Sequence, residues 1–584
     1  MRAVAPKIFP RPRELTLQGG FLAVPTAPHP TRQFLDQLPK TIAEAEKVLK
    51  TSAHNPCRIH FQAKLQTESY HLAIESSGIH IEARDAHGVL YACQTLRQIW
   101  QQNPEALPLI QIADGPDLKV RGVMLDISRG RVPLMEELFS FIATLHALRV
   151  NQLQLYIEHT FAWPGHDIVW KNASPLTAEE IQQLDCACAA VGIELVPNLN
   201  TFGHLERWLE HAAYRHLAEC PEGWTHPLTG QFKPIPSTLR PNEASLKFVA
   251  ELLEGYLPHF QSRQVNIGGD EPWELGQGHS RAAVTQRGKH QVYIEHLQKI
   301  CALAQARGHT VQFWADILLE DLALAHQAPP DTVPVVWGYD AGHPFPEQCG
   351  RLASLQRRYL IASGTSTWQS FTGRLTNALA NQTEALVAAQ KYQAEGILIT
   401  TWGDQGYHQP WSTTWLPMIA GLSQAWCHTA NHQPDFTAGC QIFGQLDAAD
   451  AQAVAEALDY LGKLEEQITF KQRNRSLTWD FLTSDAPQLK SLVAQCRLEE
   501  IQQARQYLEA GIPLVAKIKS PQLRAELSLG MDLAQLGLHR ALGISPEPHA
   551  QIQLSERYRQ VWEKRARVGG LTESLTRLWA GLKN

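Results

Sequence analysis

Two adjacent carboxylates, Asp270 and Glu271, end the run Val265-Asn-Ile-Gly-Gly-Asp-Glu271 and are the residues best placed to do chemistry. Along a regular strand, neighbouring side chains point to opposite faces, so the two acids could not share a pocket. The preceding Gly268-Gly269 pair lets the backbone leave strand geometry, and both acids can then converge on one ligand. Cleavage of a glycosidic bond needs such a pair, one acid to donate a proton and one to stabilise positive charge. The competing interpretation is a strand-end loop with two solvated acids.

Further polar and aromatic residues follow the other apolar runs of the sequence, which we interpret as strands. Tryptophan faces pack on the apolar C–H faces of a pyranose ring, while acids and arginine bind its hydroxyls. This mixture therefore predicts a sugar-binding pocket. The candidate substrate-binding residues are Arg129, His204, Trp314, Trp337, Tyr339, Trp368, Trp402 and Asp404, with Glu158 and His159 in supporting positions.

A metal site is the competing interpretation of the same residues. They contain no His-x-x-x-His pair and no compact acid triad, and His159 and His204 follow different strands. Metal sites of those kinds need their ligands close together on one element or one loop cluster. We therefore expect neither a metal nor another cofactor.

Eight short apolar runs alternate with helical segments over residues 116–430. The runs are Gly122–Ile127, Gln152–Ile157, Glu194–Leu199, Val265–Gly268, Thr310–Trp314, Val333–Trp337, Tyr359–Ala362 and Gly396–Thr401. This alternation predicts an α/β fold, a (β/α)8 TIM barrel, whose chemistry lies at the C-terminal ends of the strands. An open doubly wound sheet is the rival topology, but it usually has fewer strands, and no Gly-x-Gly-x-x-Gly motif follows the first run. One barrel helix is expected from about Asn242 to Tyr256, with Asn242 as its N-cap.

The two ends of the chain carry other patterns. Residues 1–115 are predicted to form a small N-terminal α+β domain, with strands Tyr70–Ile74 and Ile79–Ala83 and a helix from Ala86 to Arg97. Residues 431–584 are predicted to form a C-terminal helical domain, which packs on the barrel or forms a homodimer contact. Alternatively, the basic stretch Arg565–Gly570 reaches the pocket. Helix-spaced apolar positions cover Ala451–Ile468, Leu489–Leu508, Ser520–Leu542 and Leu554–Leu582.

Composition excludes several classes of function. The 52 basic and 58 acidic residues give a formal net charge of -6, and no basic run stands out, so a nucleic-acid partner is not expected. We find no secretory signal and no apolar stretch long enough to cross a bilayer, so no membrane partner is expected. The ten cysteines have no zinc-ligand spacing, and reduced thiols in a cytoplasmic protein are the simplest interpretation.

The motifs resemble those of glycoside hydrolase family 20, the β-N-acetylhexosaminidases, over the barrel and the end of the preceding domain. Ile267-Gly-Gly-Asp-Glu271 is similar to the family's His-x-Gly-Gly-Asp-Glu signature, and Trp402-Gly-Asp404 resembles its Trp-Gly-Glu element. The other similar segments are Arg121–Arg129 (the first barrel strand), Thr201–His204 (the Thr-Pro-Gly-His element) and Glu68–Gln98 (the small α+β domain).

The resemblance implies an exo-acting hydrolase that removes terminal N-acetylglucosamine or N-acetylgalactosamine from a small-molecule or oligosaccharide substrate. In this substrate-assisted mechanism, the sugar's own acetamido oxygen attacks its anomeric carbon. Asp270 would orient the acetamido group, and Glu271 would be the general acid and base. Arg129 and Asp404 would bind the ring hydroxyls, and Trp314, Trp337 and Trp402 would enclose the acetamido methyl group. Both a charged Asp270 and an apolar lining would raise the pKa of Glu271.

Several positions depart from the family pattern. Asn266 replaces the signature's histidine, and Leu155–Phe161 replaces a Trp-His-Leu-x-Asp-Asp element, so its aspartate–histidine relay cannot be copied. Glu158 or His159 could partner His204 instead. For the tyrosine that binds the acetamido carbonyl, Tyr339 and Tyr407 are the candidates.

Two other functions remain open from the sequence. One is a retaining glycosidase that uses an acid as direct nucleophile on a sugar without an acetamido group. The other is a barrel that binds glycans without catalysis. A lectin of this kind has no need for a proton donor, whereas Asp270 and Glu271 are both present here.

Overall fold

Five strands near the N-terminus form one mixed sheet with helices packed against it. The computed structural model describes residues 4–25, 30–51, 57–321, 325–545 and 549–582. The strands are β1 (Glu14–Ala23), β2 (Cys57–Phe61), β3 (Tyr70–Glu75), β4 (Gly78–Ala83) and β5 (Ala106–Asp114), in the order β1-β5-β3-β4-β2. The helices are α1 (Pro30–Asp36), α2 (Ile42–Thr51) and α3 (Ala86–Gln102). The predicted strands β3 and β4 pair in antiparallel fashion, and α3 starts where Asp85 accepts a hydrogen bond from the Gly88 N–H.

Eight parallel strands then close into a barrel, as the alternating pattern predicts. They are β6 (Val120–Asp126), β7 (Gln152–Ile157), β8 (Glu194–Leu199), β11 (Gln264–Asn266), β12 (Thr310–Trp314), β13 (Thr332–Trp337), β14 (Leu360–Gly364) and β15 (Gly396–Thr401). The last strand pairs with the first, Leu398 opposite Gly122, which closes the barrel. A short hairpin, β9 (Trp224–Thr225) and β10 (Phe232–Lys233), lies in the long connection after β8.

Helices surround the barrel between its strands. They are α4 (Met135–Ala147), α5 (Asp167–Trp170), α6 (Ala178–Ala190), α7 (Glu206–Leu209), α8 (Glu243–Tyr256), α9 (Arg281–Arg287), α10 (Lys289–Gln305), α11 (Asp316–Glu320), α12 (Phe345–Ser354), α13 (Leu375–Lys391) and α14 (Trp415–Trp426). The predicted N-cap Asn242 accepts a hydrogen bond from the Ser245 N–H and so begins α8. Thr177 and Glu180 form a capping box at the start of α6.

The barrel interior changes character along its axis. Inside the barrel, buried amides bond to one another: Gln154 donates to Gln312 at 2.8 Å and accepts from Asn198 at 2.9 Å and from Asn266 at 3.2 Å. Towards the C-terminal ends, aromatic and aliphatic side chains replace them, among them Tyr156 and four residues of the predicted pocket: Trp314, Tyr339, Trp368 and Trp402. The amides satisfy one another's polar groups, and the aromatic layer above them forms the floor of a pocket.

The end of the chain is helical, as predicted, but with different helix boundaries. Its helices are α15 (His428–Asn431), α16 (Phe436–Gly444), α17 (Ala448–Leu461), α18 (Leu477–Thr483), α19 (Ala486–Val493), α20 (Leu498–Ala510), α21 (Ile512–Ala516), α22 (Pro521–Ala541), α23 (Ala550–Glu563) and α24 (Leu571–Leu578). The segment Leu489–Leu508 is two helices rather than one. Leu554–Leu582 is also divided: α23 ends at Glu563, and α24 begins after Gly570, which has a positive φ of 78°.

Charged side chains fasten the helical region to the barrel. Arg565 pairs with Glu137 of α4 at 2.6 Å and with Glu526 of α22, and Arg567 pairs with Glu180 of α6 at 2.6 Å. The prediction that Arg565–Gly570 reaches the pocket is therefore wrong. This stretch holds two helical layers together on the outside of the barrel.

A second buried cluster joins the N-terminal sheet to the barrel. Arg149, just before β7, donates to Asp114 at 2.9 Å and to Thr95 at 2.7 Å, and its guanidinium lies 4.4 Å from the ring centre of Trp426. Tyr70 and the Trp426 indole N–H also donate to Asp114. Residues of β3, α3, β5, α14 and the segment before β7 thus meet at one ion pair that is fully buried.

Among the described residues, no helix combines the length and the apolar character that crossing a bilayer requires. The placement of the domain boundaries at 115 and 430 stays a prediction.

Candidate active site

The turn after β11 directs both predicted acids into the same cavity. The strand ends at Asn266, and the backbone then passes through positive φ angles of 70° at Gly268, 90° at Gly269 and 47° at Glu271. The Asn266 side chain accepts the Gly268 N–H at 3.0 Å while it donates to Gln154 inside the barrel. Asn266, which replaces the signature's histidine, therefore stabilises the turn from inside the barrel. It does not line the pocket.

An inner pocket of about 110 Å³ lies at the C-terminal ends of the strands. It contains both acids and all eight residues that the sequence suggests for substrate binding. Its lining is Arg129, His204, Asp270, Glu271, Trp314, Trp337, Tyr339, Trp368, Trp402, Asp404 and Asn474. Asn474 belongs to the helical region, and no sequence signal marks it.

His204 bridges the two acids. Its Nε2 lies 3.2 Å from an oxygen of Asp270 and 3.7 Å from an oxygen of Glu271. Burial disfavours a charged imidazole, but the two carboxylates outweigh burial and raise the pKa of His204 to about 10. His204 is therefore a cation at neutral pH. Its partners are the catalytic candidates themselves, so the suggestion that Glu158 or His159 partners it is wrong for the described structure.

Glu271 is the catalytic candidate whose pKa the site raises. Burial raises the pKa of its carboxyl group, the charges of Asp270 and Asp404 raise it further, and His204 opposes them. The Glu271 N–H donates to Asp316 at 3.1 Å. Burial and the two neighbouring acids hold the pKa of Asp316 well above its usual range, and its carboxyl group supports the turn by accepting this hydrogen bond. The sequence places Asp316 at a strand end but gives no sign of this contact.

Arg129 is held by carboxylates on two strands. It lies 3.1 Å from Asp126 and 3.1 Å from Glu158, and its guanidinium lies 4.5 Å from the ring centre of Tyr156 and 4.9 Å from that of Trp402. Burial raises the pKa of Glu158 to about 6, although Arg129 favours its charged form. The fixed guanidinium can present its remaining donors to a ligand.

Glu158 and His159, the two residues predicted to support the pocket, lie in different surroundings. Glu158 holds Arg129 and accepts a hydrogen bond from the Tyr156 hydroxyl at 2.8 Å. His159 is buried and lines neither the inner pocket nor the outer cleft. Burial lowers the pKa of His159 to about 3, with Arg207 adding to the effect, so this imidazole is neutral. A supporting role for His159 at the pocket is therefore wrong.

Aromatic rings form the walls of the inner pocket. Trp337 and Tyr339 stack with ring centres 5.4 Å apart, and Trp368 contacts Tyr339 edge-on at 5.3 Å. Within the described structure, the buried indole N–H groups of Trp314 and Trp337 have no hydrogen-bond partner. Buried donors are normally satisfied, so these two are available to a polar ligand. Of the two candidate tyrosines, Tyr339 lines the pocket, whereas Tyr407 lies outside it beside Arg131.

An outer cleft of about 420 Å³ continues from the inner pocket towards solvent. It shares Arg129, His204, Glu271 and Asp404 with the inner pocket, but its remaining lining is mainly polar, with Ile235 as an apolar member, and carries no aromatic side chain. Those residues are Ser128, Glu158, Glu206, Arg207, Glu210, Ile235, Gln369, Gln405, Gly406, Glu573 and Arg577. Glu573 and Arg577 come from α24, where Glu573 pairs with Arg207 of the barrel. The helical region thus reaches the site through α24.

Comparison with protein-family models finds two matches in sequence order. Residues 5–115 match "Glycosyl hydrolase family 20, domain 2", and residues 119–368 match "Glycosyl hydrolase family 20, catalytic domain".

Known proteins with similar sequences are named as hexosaminidases. A beta-hexosaminidase of Akkermansia muciniphila is 28% identical over 279 residues, which cover 43% of this chain and 56% of that protein. Human hexosaminidase D is 28% identical over 233 residues, which cover 38% of this chain and 45% of that protein. The matched part thus spans about half the length of these relatives.

Solved structures show the same fold. An exo-β-N-acetylglucosaminidase of Vibrio harveyi with bound N-acetylglucosamine aligns with a TM-score of 0.58 at 17% identity and covers 78% of this chain and 80% of that one. A chitobiase of Flavobacterium johnsoniae aligns with a TM-score of 0.57 at 16% identity and covers 98% of both chains. At such identities the similarity shows the fold alone.

Proposed function

We propose, from the premise that this chain belongs to glycoside hydrolase family 20, that it is an exo-acting β-N-acetylhexosaminidase with substrate-assisted, retaining catalysis. One observation carries the proposal: two neighbouring acids and a cationic histidine face an indole-walled pocket that also holds an arginine and a third acid. The inner pocket is small, about 110 Å³, which suits removal of one terminal sugar.

Asp270 has the role of orienting the acetamido group. One of its oxygens contacts His204, and the other is buried without a partner among the described residues. That free oxygen can accept the acetamido N–H and thereby aim the carbonyl oxygen at the anomeric carbon. As the new C–O bond forms, positive charge spreads over the cyclic oxazolinium, and the Asp270 carboxylate stabilises it.

Glu271 has the role of general acid and then general base. When the bond from the anomeric carbon to the leaving oxygen breaks, Glu271 gives its proton to that oxygen. Water then attacks the anomeric carbon from the vacated side and gives a proton back to Glu271, while the ring of the intermediate opens. Two displacements at one carbon retain its configuration. The raised pKa of Glu271 keeps the needed proton available.

Arg129 and Asp404 have the role of binding the hydroxyls of the terminal sugar. Arg129 is fixed by Asp126 and Glu158, so little side-chain entropy is lost when it binds a ligand. Trp314, Trp337 and Trp402 enclose the acetamido methyl group and keep water from competing with the internal nucleophile. Tyr339 is the tyrosine placed to contact the acetamido carbonyl.

Aryl glycosides test the reaction class. We expect hydrolysis of the p-nitrophenyl β-N-acetylglucosaminide or β-N-acetylgalactosaminide, and inhibition by a thiazoline mimic of the cyclic intermediate. Cleavage of a glucoside or galactoside with inert N-acetylhexosaminides would point to a direct carboxylate nucleophile. Binding of glycans without turnover of any glycoside would point to a lectin. Either result contradicts the proposal.

The proposed setting is the cytoplasm, with a soluble small-molecule or oligosaccharide substrate. Nine of the ten cysteines, those whose side chains the structure describes, are free, which suits a reducing compartment. Cell fractionation with an antibody tests the location, and detection only in an extracellular fraction would contradict it. A homodimer also stays a prediction, which sedimentation of the full chain tests.

A further inference from the structure

Asn474 is a residue of the inner pocket that does not belong to the barrel. It lies in the connection between the 3-10 helix Leu464–Gln467 and α18, yet it lines the same cavity as Asp270 and Glu271. The oxygen of its side chain is buried and has no hydrogen-bond partner in the described structure. A buried acceptor without a partner normally costs stability. Its presence beside a cavity therefore suggests that a ligand group donates a hydrogen bond to it.

The segment around Asn474 is attached to two barrel loops. The Asn474 N–H donates to Asp340 after β13 at 3.4 Å, and Asp340 is itself held by Arg374 at 3.0 Å. Two residues later, the Ser476 N–H donates to the Gln369 carbonyl after β14 at 2.9 Å. Asn474 is therefore held in position by the barrel, as a residue that contributes to ligand specificity must be.

The chemistry of the free atom indicates which part of a sugar Asn474 meets. The unpartnered group is an amide oxygen, so it can only accept a hydrogen bond. The donors of an N-acetylhexosamine are its hydroxyls and its acetamido N–H, and the proposed function gives the acetamido N–H to Asp270. A ring hydroxyl is therefore the donor left for Asn474.

We propose that the Asn474 side chain hydrogen-bonds a ring hydroxyl of the terminal sugar, so that the helical region completes sugar recognition. This inference rests on the proposed function and assigns to the same site one more sugar-binding residue, from outside the barrel. A backbone-only role is the alternative, because Asn474 has a positive φ of 59°, where asparagine is favoured.

The variant Asn474→Gly separates the two roles. Glycine accepts a positive φ, so the backbone keeps its shape and only the side chain is lost. We expect a thermal midpoint close to that of the natural protein. We also expect about a tenfold loss in kcat/KM for the aryl N-acetylglucosaminide or N-acetylgalactosaminide, and a matching rise in the thiazoline inhibition constant. Loss with only one epimer would assign the C4 hydroxyl, and equal loss with both would assign a hydroxyl they share.

Two further variants of the same segment serve as controls. Arg473→Ala removes an exposed side chain and should leave both constants unchanged. Asn474→Asp keeps an acceptor of the same shape and should recover part of the lost activity. Values for Asn474→Gly within twofold of the natural protein for both sugars and the inhibitor would overturn this inference. If the natural protein itself leaves both N-acetylhexosaminides intact, the proposed function fails instead.

Discussion

Glu271 is the residue on which the proposed chemistry depends most directly. Glu271→Gln keeps the shape and removes the transferable proton, so we expect kcat to fall by about a hundred- to ten-thousand-fold. Steady-state kinetics with an aryl N-acetylglucosaminide, together with a thermal unfolding curve, measure activity and folding separately. Glu222→Gln changes an exposed glutamate and serves as the control. Near-normal turnover in Glu271→Gln would remove Glu271 from its assigned role.

His204 sets the pH range in which Glu271 holds its proton. Activity should decline as pH rises through the raised pKa of Glu271, because the acid form is lost. The charge of His204 lowers that pKa, so His204→Asn should move the alkaline limb of the kcat/KM profile to higher pH. His432→Asn, at an exposed histidine outside the pocket, should leave the profile in place. A shift to lower pH in His204→Asn would contradict this electrostatic assignment.

The identity of the pocket residues could be predicted only where a strand end or a motif marks them. Trp314 and Trp337 end predicted strands, Trp402 follows one, and the structure brings all three into one pocket. His159 follows a strand in the same way but faces the packed interior, because the pattern does not fix side-chain direction beyond the strand end. Asn474 depends on a contact between distant segments, which no local pattern reveals.

Among the elements, the turn after β11 is the one whose backbone the chemistry requires. Gly268 has a φ of 70°, and a Cβ atom there would lie 1.9 Å from an oxygen of the buried Asn200 side chain. Gly268→Ala should therefore abolish activity and lower the free energy of unfolding by at least about 3 kcal/mol. Urea titration and turnover measure the two effects.

Gly165→Ala is the matched control for the backbone effect. Gly165 has a φ of 81°, but a Cβ atom added there would meet no other atom within 4 Å, so only the conformational cost of about 1 kcal/mol applies. Its activity should be normal. Equal stability losses in both alanine variants would mean that the steric contact with Asn200 is unimportant.

Helix boundaries were less predictable than the barrel strands. Each barrel strand is a compact apolar run between polar loops, and the structure places all eight within a few residues of prediction. In the helical region, apolar spacing continues across the break between α19 and α20, because partly buried Leu489 and Leu492 of α19 pack on the same hydrophobic cluster as buried Ile501 of α20. Periodicity reports the buried face and does not locate every turn at which a helix ends.

At the scale of the whole molecule, Arg565 joins the barrel to the helical region. Its partner Glu526 is only 1% exposed, so removal of the guanidinium leaves a buried carboxylate without its cation. Arg565→Ala should lower the free energy of unfolding by about 3 kcal/mol. Arg557→Ala, which breaks an ion pair with Asp532 that is about 40% exposed, should cost less than about 1 kcal/mol. Similar losses of unfolding free energy in the two variants, measured by urea titration, would show that attachment of the helical region to the barrel does not depend on Arg565.

The barrel as a whole could be predicted because alternation is a property of the chain itself. The way the helical region meets it could not, because ion pairs such as Arg207 with Glu573 join residues hundreds of positions apart. The sequence favours packing of this region on the barrel or a dimer contact, with a direct role for a basic stretch as the alternative. The structure instead assigns the contacts with the pocket and the cleft to Asn474 and α24.

The Arg149 cluster has a consequence for how the protein can be divided. A polypeptide that starts at residue 116 would lack Asp114 and Thr95, so Arg149 would lose both acceptors, and Trp426 would be exposed without the N-terminal cluster that now buries it. Trp426 would lose the carboxylate that its indole bonds. The catalytic barrel is therefore not an autonomous module: expressed by itself, it should be recovered mainly in inclusion bodies, whereas the chain with both flanking regions stays in solution.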